Sequence, residues 1–311
     1  MKILVTGSNG FVGKHVLSEL AIRYHEIISG ITDEKGFDSD KEIFLDVRSK
    51  NNWEEVIKAI KPDAILHLAA QSMVQKAWVD PSDTILTNTL SALFMIESVQ
   101  KYSPTTKIIN VGSSEEYGLA GLSGQPLTED TLCNPQNPYA VSKHSAGQLI
   151  MQISKKNQLN TIHLRPFNHF GPGQREGFVI SDFSSQICRI EKGIQEPIIR
   201  VGNLDARRDF TDVRDIVRAY VDIIEKDIAP GIYNVCSQVP RRIADILEFL
   251  IAESKVPITL EVDEARFRPS EVSLFIGSNL KILESIGWKP SLKFEESLRE
   301  TLNWWRQTYA Y

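Results

Sequence analysis

Residues 5–16, "VTGSNGFVGKHV", place Gly7, Gly10 and Gly13 between an apolar run, "KILVT", and a helical pattern, "FVGKHVLSELAIRY". Glycine permits a tight turn, lets backbone N–H groups approach a pyrophosphate, and lets helix pack closely on strand. The helix N-terminus adds partial positive charge. The spacing is GxxGxxG rather than GxGxxG, and any tight strand-to-helix turn can hold such a triplet. Its place at the first strand-to-helix turn of the chain points to a dinucleotide cofactor.

Outward from this turn, short Val- and Ile-rich runs alternate with helical patterns: "EIISGI", "EIFLDV", "WEEVIKAI", "DAILHLA", a helix near 83–102, then "KIINVG". Alternation of this kind predicts a doubly wound parallel sheet, a Rossmann-type α/β fold, with strands apolar on both faces. A helix opens at "NPYAVSKHSAGQLIMQISKK", with Asn137 as N-cap and Pro138 at its first position. The strand "TIHLRPFN" follows. Beyond about residue 168 Gly- and Pro-containing loops begin a smaller lobe, while "GIYNVCS" is expected to rejoin the sheet. The expected division is a cofactor domain of 1–167 plus about 210–236, and a discontinuous lobe of 168–209 and 237–311.

Composition narrows the function. With 311 residues, a net charge of −5 and scattered Lys and Arg, the chain has no basic footprint for nucleic acid. "MKILVTG" is too short an apolar run for a signal segment, and no later run nears the roughly 20 residues that span a bilayer. The expectation is a soluble cytoplasmic protein. Cys133, Cys188 and Cys236 form no CxxC pair, so reduced structural thiols and no metal are expected. His67, His163 and His169 lack ligand spacing and read as core or loop residues.

Asp33 lies about 20 residues past the last glycine, where an acid binds the adenosine ribose 2′-hydroxyl. This favours NAD, although Lys35 nearby leaves NADP open. Asp46, ending "FLDV", is either an acceptor for the adenine amino group or a solvated loop acid. Tyr139 and Lys143 in "NPYAVSK" share one helix face, and a nearby ammonium favours phenolate. A hydroxyl at a strand end, Ser113 in "SSEEYG", completes a set able to orient a substrate oxygen during proton and hydride exchange. Glu115 is expected on the substrate side and Glu116 facing away from it.

With "TGSNGFVG", "HLAA", "SSEEYG", "YAVSK", "RPFNHFGPGQ", "RRDFTDVRD" and "RPSEV", essentially the whole chain resembles the extended short-chain dehydrogenase/reductase family acting on nucleotide-diphosphate sugars. The resemblance implies catalytic roles for Ser113, Tyr139 and Lys143, and a homodimer paired through the helices near 83–102 and 138–156. It implies NAD(P) contacts from Gly7, Asn9, Gly10, Phe11, Val12 and Gly13, from Asp33, Asp46 and Val47, from Leu68, Ala69, Ala70 and Asn88, and from Tyr139, Lys143 and Pro166. It places Asn168 at the sugar-nucleotide pyrophosphate, Phe178 and Val179 near the base, and Arg208 and Arg268 at phosphate, which guanidinium suits. Glu271 would meet ribose, Ser72 and Glu115 the hexose, and Asn203 the nucleotide sugar. Arg207, Asp209 and Asp212 read as ion-pair or capping residues, and Trp304 or Trp305 as packing.

Within the family, "SSEEYG", "FNHFGPGQ", the "QSMVQKAW" loop and "RPSEVSLFIGS" are most similar to reductases of GDP-linked 4-keto-6-deoxymannose that form GDP-D-rhamnose. That similarity implies hydride transfer to C4 and a proton from Tyr139. Ser114 followed by Glu115 also occurs in GDP-mannose 4,6-dehydratases, so dehydration stays open. A non-catalytic nucleotide-binding protein is the distant alternative.

Overall fold

A computed structural model describes residues 1–23, 25–32, 41–263 and 272–309. Asp33, Lys35, Arg268 and Glu271 lie outside the described residues.

Seven parallel strands form the central sheet. They are β1 (Lys2–Thr6), β2 (Glu26–Ile31), β3 (Glu42–Phe44), β4 (Ala64–His67), β5 (Lys107–Val111), β6 (Thr161–Pro166) and, after three lobe strands, β10 (Gly231–Val235), in the order β10-β6-β5-β4-β1-β2-β3. Strand order reverses beside β1, so the crevice at the carboxyl ends of β1 and β4 is where such a sheet binds a ligand. Alternation along each strand feeds two cores. Ile3 and Val5 pack with α1 (Phe11–Ile22) and α8 (Val213–Glu225), while Leu4, Ile65 and Ile108 pack with α2 (Lys50–Ile60), α5 (Ser91–Tyr102) and α6 (Pro138–Asn157).

Local chemistry fixes the helix ends. The Ser49 side chain accepts from Asn52 N at the start of α2, Asn137 accepts from Ala140 N before Pro138 at α6, and Asp212 accepts from Arg214 N at α8. After the short α3 (Val74–Val79), the pattern read as one helix near 83–102 is three pieces: α4 (Pro81–Ile85), a π-helical turn at Leu86–Leu90, and α5. In that turn the Asn88 amide donates to Gln71 O and to Ser142 Oγ, and its oxygen accepts from Gln71 N, so it ties the loop after β4 to α6. At the far end of the sheet, Lys107 Nζ donates to the backbone oxygens of Ile223 and Lys226 at the end of α8.

The remaining elements surround a second core. Helices α7 (Val179–Glu191), α9 (Ile243–Ala252) and α11 (Phe294–Thr308) enclose Phe183, Ile187, Leu247, Leu302 and Trp305. Trp305 donates to Ser181 Oγ, the packing role expected of it. Strand β9 (Arg207–Asp212) pairs with β7 (Asn168–Phe170), β11 (Pro240–Arg242) and β13 (Leu274–Phe275); β8 (Ile198–Val201) pairs with β12 (Thr259–Val262). Helix α10 (Leu280–Ile286) and Trp288 return to the sheet core. Among the described residues no helix is long and apolar enough to cross a membrane.

Candidate active site

The glycine turn is built by close approach. Gly7 has φ of +69°, and a Cβ there would sit 2.8 Å from Ala69 N; at Gly13 it would sit 2.3 Å from Gly7 O. Gly10 N donates to Gly7 O at 3.0 Å. Beneath the turn, Thr6 Oγ1 meets His67 Nδ1 at 2.8 Å and accepts from Ala69 N. Burial, helped by Lys143, pulls His67 down to about 3, so it is a neutral core residue. Asn9 and Gly10 are exposed, Phe11 and Val12 half-buried, and no acid occupies the first turn of α1. A turn that brings glycine backbone to the crevice, at an acid-free helix start, fits a dinucleotide pyrophosphate.

Leu68, Ala69 and Ala70 continue the crevice at the end of β4, half-exposed, and Pro166 ends β6 buried beside Val235. Other expected cofactor residues have local partners. Asp46 takes a fork from Arg48, Nε to Oδ1 at 3.1 Å and a terminal nitrogen to Oδ2 at 3.2 Å, which lowers its carboxyl below the usual range. Val47 is buried and its carbonyl accepts from Trp53 Nε1. Asn88 is buried with its amide engaged as above, so it shapes the crevice through the loop it holds.

Ser113, Tyr139 and Lys143 come together at the end of β5. Ser113 has extended backbone, and its Oγ accepts from Glu115 N at 3.1 Å. Lys143 Nζ donates to Val111 O at 2.8 Å. Burial lowers Lys143 to about 8, opposed by Glu116. The phenol differs from expectation. Burial pushes Tyr139 up to about 12; Ser113 opposes this, and Glu115 and Glu116 add to it. Tyr139 therefore stays protonated across the neutral range, which suits a proton donor.

Glu115 and Glu116 face opposite ways. Glu115 is exposed, accepts from Asn137 Nδ2 at 3.3 Å, and attracts Arg208 of β9. Glu116 is fully buried beneath Ser113. Its Oε1 accepts from Ser113 N and His163 Nε2, each at 3.0 Å, and its Oε2 accepts from Arg165 Nε at 3.0 Å. Burial resists this charge, but His163, His144 and Arg165 hold the carboxyl well below the usual range. Glu116, Cys133 and His144 place ligand atoms within 4.8 Å of one another. Arg165 already holds that carboxylate and burial pushes the Cys133 thiol up to about 11, which disfavours a metal.

The lobe supplies the opposite wall. Asn168, exposed at the start of β7, is in register with Phe210 of β9, two residues beyond Arg208 on the same strand. Arg208 donates to the carbonyl of Arg207, and burial lowers its pKa. Phe178, half-buried, and Val179, exposed, open α7. The loop holding exposed Ser72 is pinned by Gln71 to Met73 and Thr84, and Met73 lies beside Gly177. Asn203 is exposed and accepts from Asp205 N in its own turn. Arg207 is exposed, and Asp209 accepts from Ser237 N, Ser237 Oγ and Gln238 N. Asp212 is the cap of α8.

Residues 4–301 match the family model described as GDP-mannose 4,6 dehydratase. The chain belongs to that family. A GDP-6-deoxy-D-mannose reductase of Pseudomonas aeruginosa is 33% identical over 98% of this chain and 97% of its own. A GDP-mannose 4,6-dehydratase of Vibrio cholerae is 24% identical over 96% and 92%. The structure of RMD from Pseudomonas aeruginosa complexed with NADPH superposes with a TM-score of 0.86 at 31% identity, covering 99% of both chains. The extended short-chain dehydrogenase/reductase resemblance and the Rossmann-type fold are thereby borne out.

Proposed function

We propose that this family member is an NAD(P)H-dependent oxidoreductase that reduces the C4 keto group of GDP-4-keto-6-deoxy-D-mannose, most simply to GDP-D-rhamnose. What supports the reading is the gathering of Ser113, a protonated Tyr139 and Lys143 at the end of β5, in a sheet that opens on the glycine turn. The full-length likeness to the Pseudomonas reductase supports it. When bound, the nicotinamide supplies the hydride. Tyr139 gives its proton to the oxygen on C4, Ser113 orients that oxygen, and Lys143 holds ribose near the tyrosine. The glycine turn holds the cofactor pyrophosphate, Asn168 and Arg208 the sugar-nucleotide phosphates, and Glu115 and Ser72 the hexose. Asp33 favours NAD over NADP, and NADPH in the related Pseudomonas structure leaves both to be compared.

Two further readings accompany this one. The first is a division into a cofactor domain, 1–167 plus about 210–236, and a sugar-nucleotide lobe, 168–209 and 237–311, supported by the separate cores of the central sheet and of helices α7, α9 and α11. A cytoplasmic homodimer through α5 and α6 is supported by exposed Val141 and Leu149 on α6, and its size in solution tests it.

The deciding experiment supplies GDP-, UDP- and dTDP-linked 4-keto sugars with equal NADH or NADPH and follows nucleotide oxidation. Conversion of GDP-mannose without added reductant, with no NAD(P)H consumed on the keto sugar, would sink the reductase reading. The second reading, a GDP-mannose 4,6-dehydratase, has one specific support: the exposed carboxylate of Glu115 beside Asn137.

A further inference from the structure

We propose that Glu116, clasped by His163 and Arg165, is a positioning residue of the reaction: it fixes the Ser113 loop and supplies a buried negative charge at the end of β5, where Lys143 holds the Val111 carbonyl. The inference rests on the reductase reading for its kinetic readout.

Glu116 joins the elements that bear the three catalytic groups. From the turn after β5 it accepts from Ser113 N, closing a reciprocal cap in which Ser113 Oγ accepts from Glu115 N. From β6 come His163 and Arg165, and from α6 His144, whose Nδ1 is 3.7 Å from Oε2. Asn110 Nδ2 donates to His163 Nδ1, so His163 Nε2 carries the proton offered to Glu116. Room for this assembly is made by two glycines. A Cβ at Gly112 would lie 2.2 Å from Glu116 Oε1, and one at Gly147 2.5 Å from His163 Nε2. Gly147 follows Tyr139 and Lys143 at four-residue steps, so one face of α6 presents phenol, amine and a gap for the imidazole. A merely structural ion pair would be satisfied by Arg165 alone; this carboxylate also holds the backbone of the catalytic serine.

The charged and titratable groups around Glu116 are Arg165 and His163 from β6 and His144 from α6, with Tyr117 and Cys133 from the adjoining loops. The charge acting on Lys143 is Glu116, with the neutral His67 from β4 and Tyr139 one turn away on α6 as its other titratable neighbours. Removing the carboxylate charge leaves the Lys143 ammonium less favoured.

Glu116→Gln keeps an acceptor for Ser113 N and removes the charge. We expect kcat at pH 7 to fall by about tenfold to a hundredfold and NAD(P)H affinity to stay within about twofold of the parent. The alkaline limit of kcat/KM should move down by about one pH unit. Glu116→Asp should restore that limit. If the glutamine variant does not fold because Arg165 lacks its counter-charge, the pair Glu116→Gln with Arg165→Met supplies the same comparison. A substrate-free measurement separates the two hypotheses: the titration of Lys143 in 13C-lysine-labelled protein, assigned with Lys143→Met. A lower midpoint in Glu116→Gln supports the proposal even if no keto sugar is reduced, whereas an unmoved midpoint and unmoved alkaline limit overturn it.

Discussion

Tyr139 is the residue on which the chemistry turns. Its phenol is held up to about 12, so loss of the hydroxyl removes the proton donor and little else. Tyr139→Phe should lower kcat by about 10²- to 10⁴-fold while fluorescence titration shows unchanged NAD(P)H binding; unchanged turnover would remove Tyr139 from the role. Lys143 sets a second expectation. Its folded value of about 8 lies below the ordinary lysine value, so the ammonium is present below pH 8 and lost above it. A kcat/KM profile should therefore fall on the alkaline side near pH 8, well before a free lysine or tyrosine would titrate. Tyr139 and Lys143 were legible because four-residue spacing on a capped helix forces them onto one face. The shift of the phenol was not legible. It depends on burial and on two carboxylates brought near by folding, and sequence neighbours do not report either. Glu116 was expected to face away from the substrate side by strand alternation; it is buried by a 3-10 turn at Ser114–Tyr117 instead, and its partners His163 and Arg165 come from a strand 47 and 49 positions distant. Single glycines at 112 and 147 were the only local trace of the space they fill.

At the scale of elements, two contacts carry testable weight. Gly13 lets α1 start against the turn it follows, with no room for a methyl group beside Gly7 O. Gly13→Ala should weaken NAD(P)H binding by about tenfold or more, read by isothermal titration, because either the turn or the helix must shift. Lys107 ties the start of β5 to the last carbonyls of α8, a joint between sheet and helix. Lys107→Met should cost about 1–3 kcal/mol in urea unfolding, since buried carbonyls lose their donor; a change within error would show that water replaces the amine. Strands and long helices were readable from period and from caps such as Asn137. The π-helical turn at Leu86–Leu90 was not, because apolar periodicity runs on through it and only the buried Asn88 marks the break. Short strands β7, β11 and β13 were equally hidden, being two or three residues whose pairing depends on β9.

One edge of the central sheet is completed by a late strand. β10 pairs along β6, and Asn234 within it accepts from Tyr117 Oη at 2.7 Å and donates to Leu127 O at 2.9 Å, so the strand also anchors the segment after the catalytic loop. A chain ending at residue 167 should be recovered mainly as aggregate, as judged by solubility and light scattering, because β6 would present an unpaired apolar edge. A soluble, cofactor-binding fragment of that length would contradict this. The same strand imposes an order on synthesis. While the ribosome makes the residues between β6 and β10, every other sheet strand is already available and one edge is open for several seconds. The nascent enzyme is thus most exposed to mispairing at β6 after its catalytic residues have been made and before β10 covers that strand.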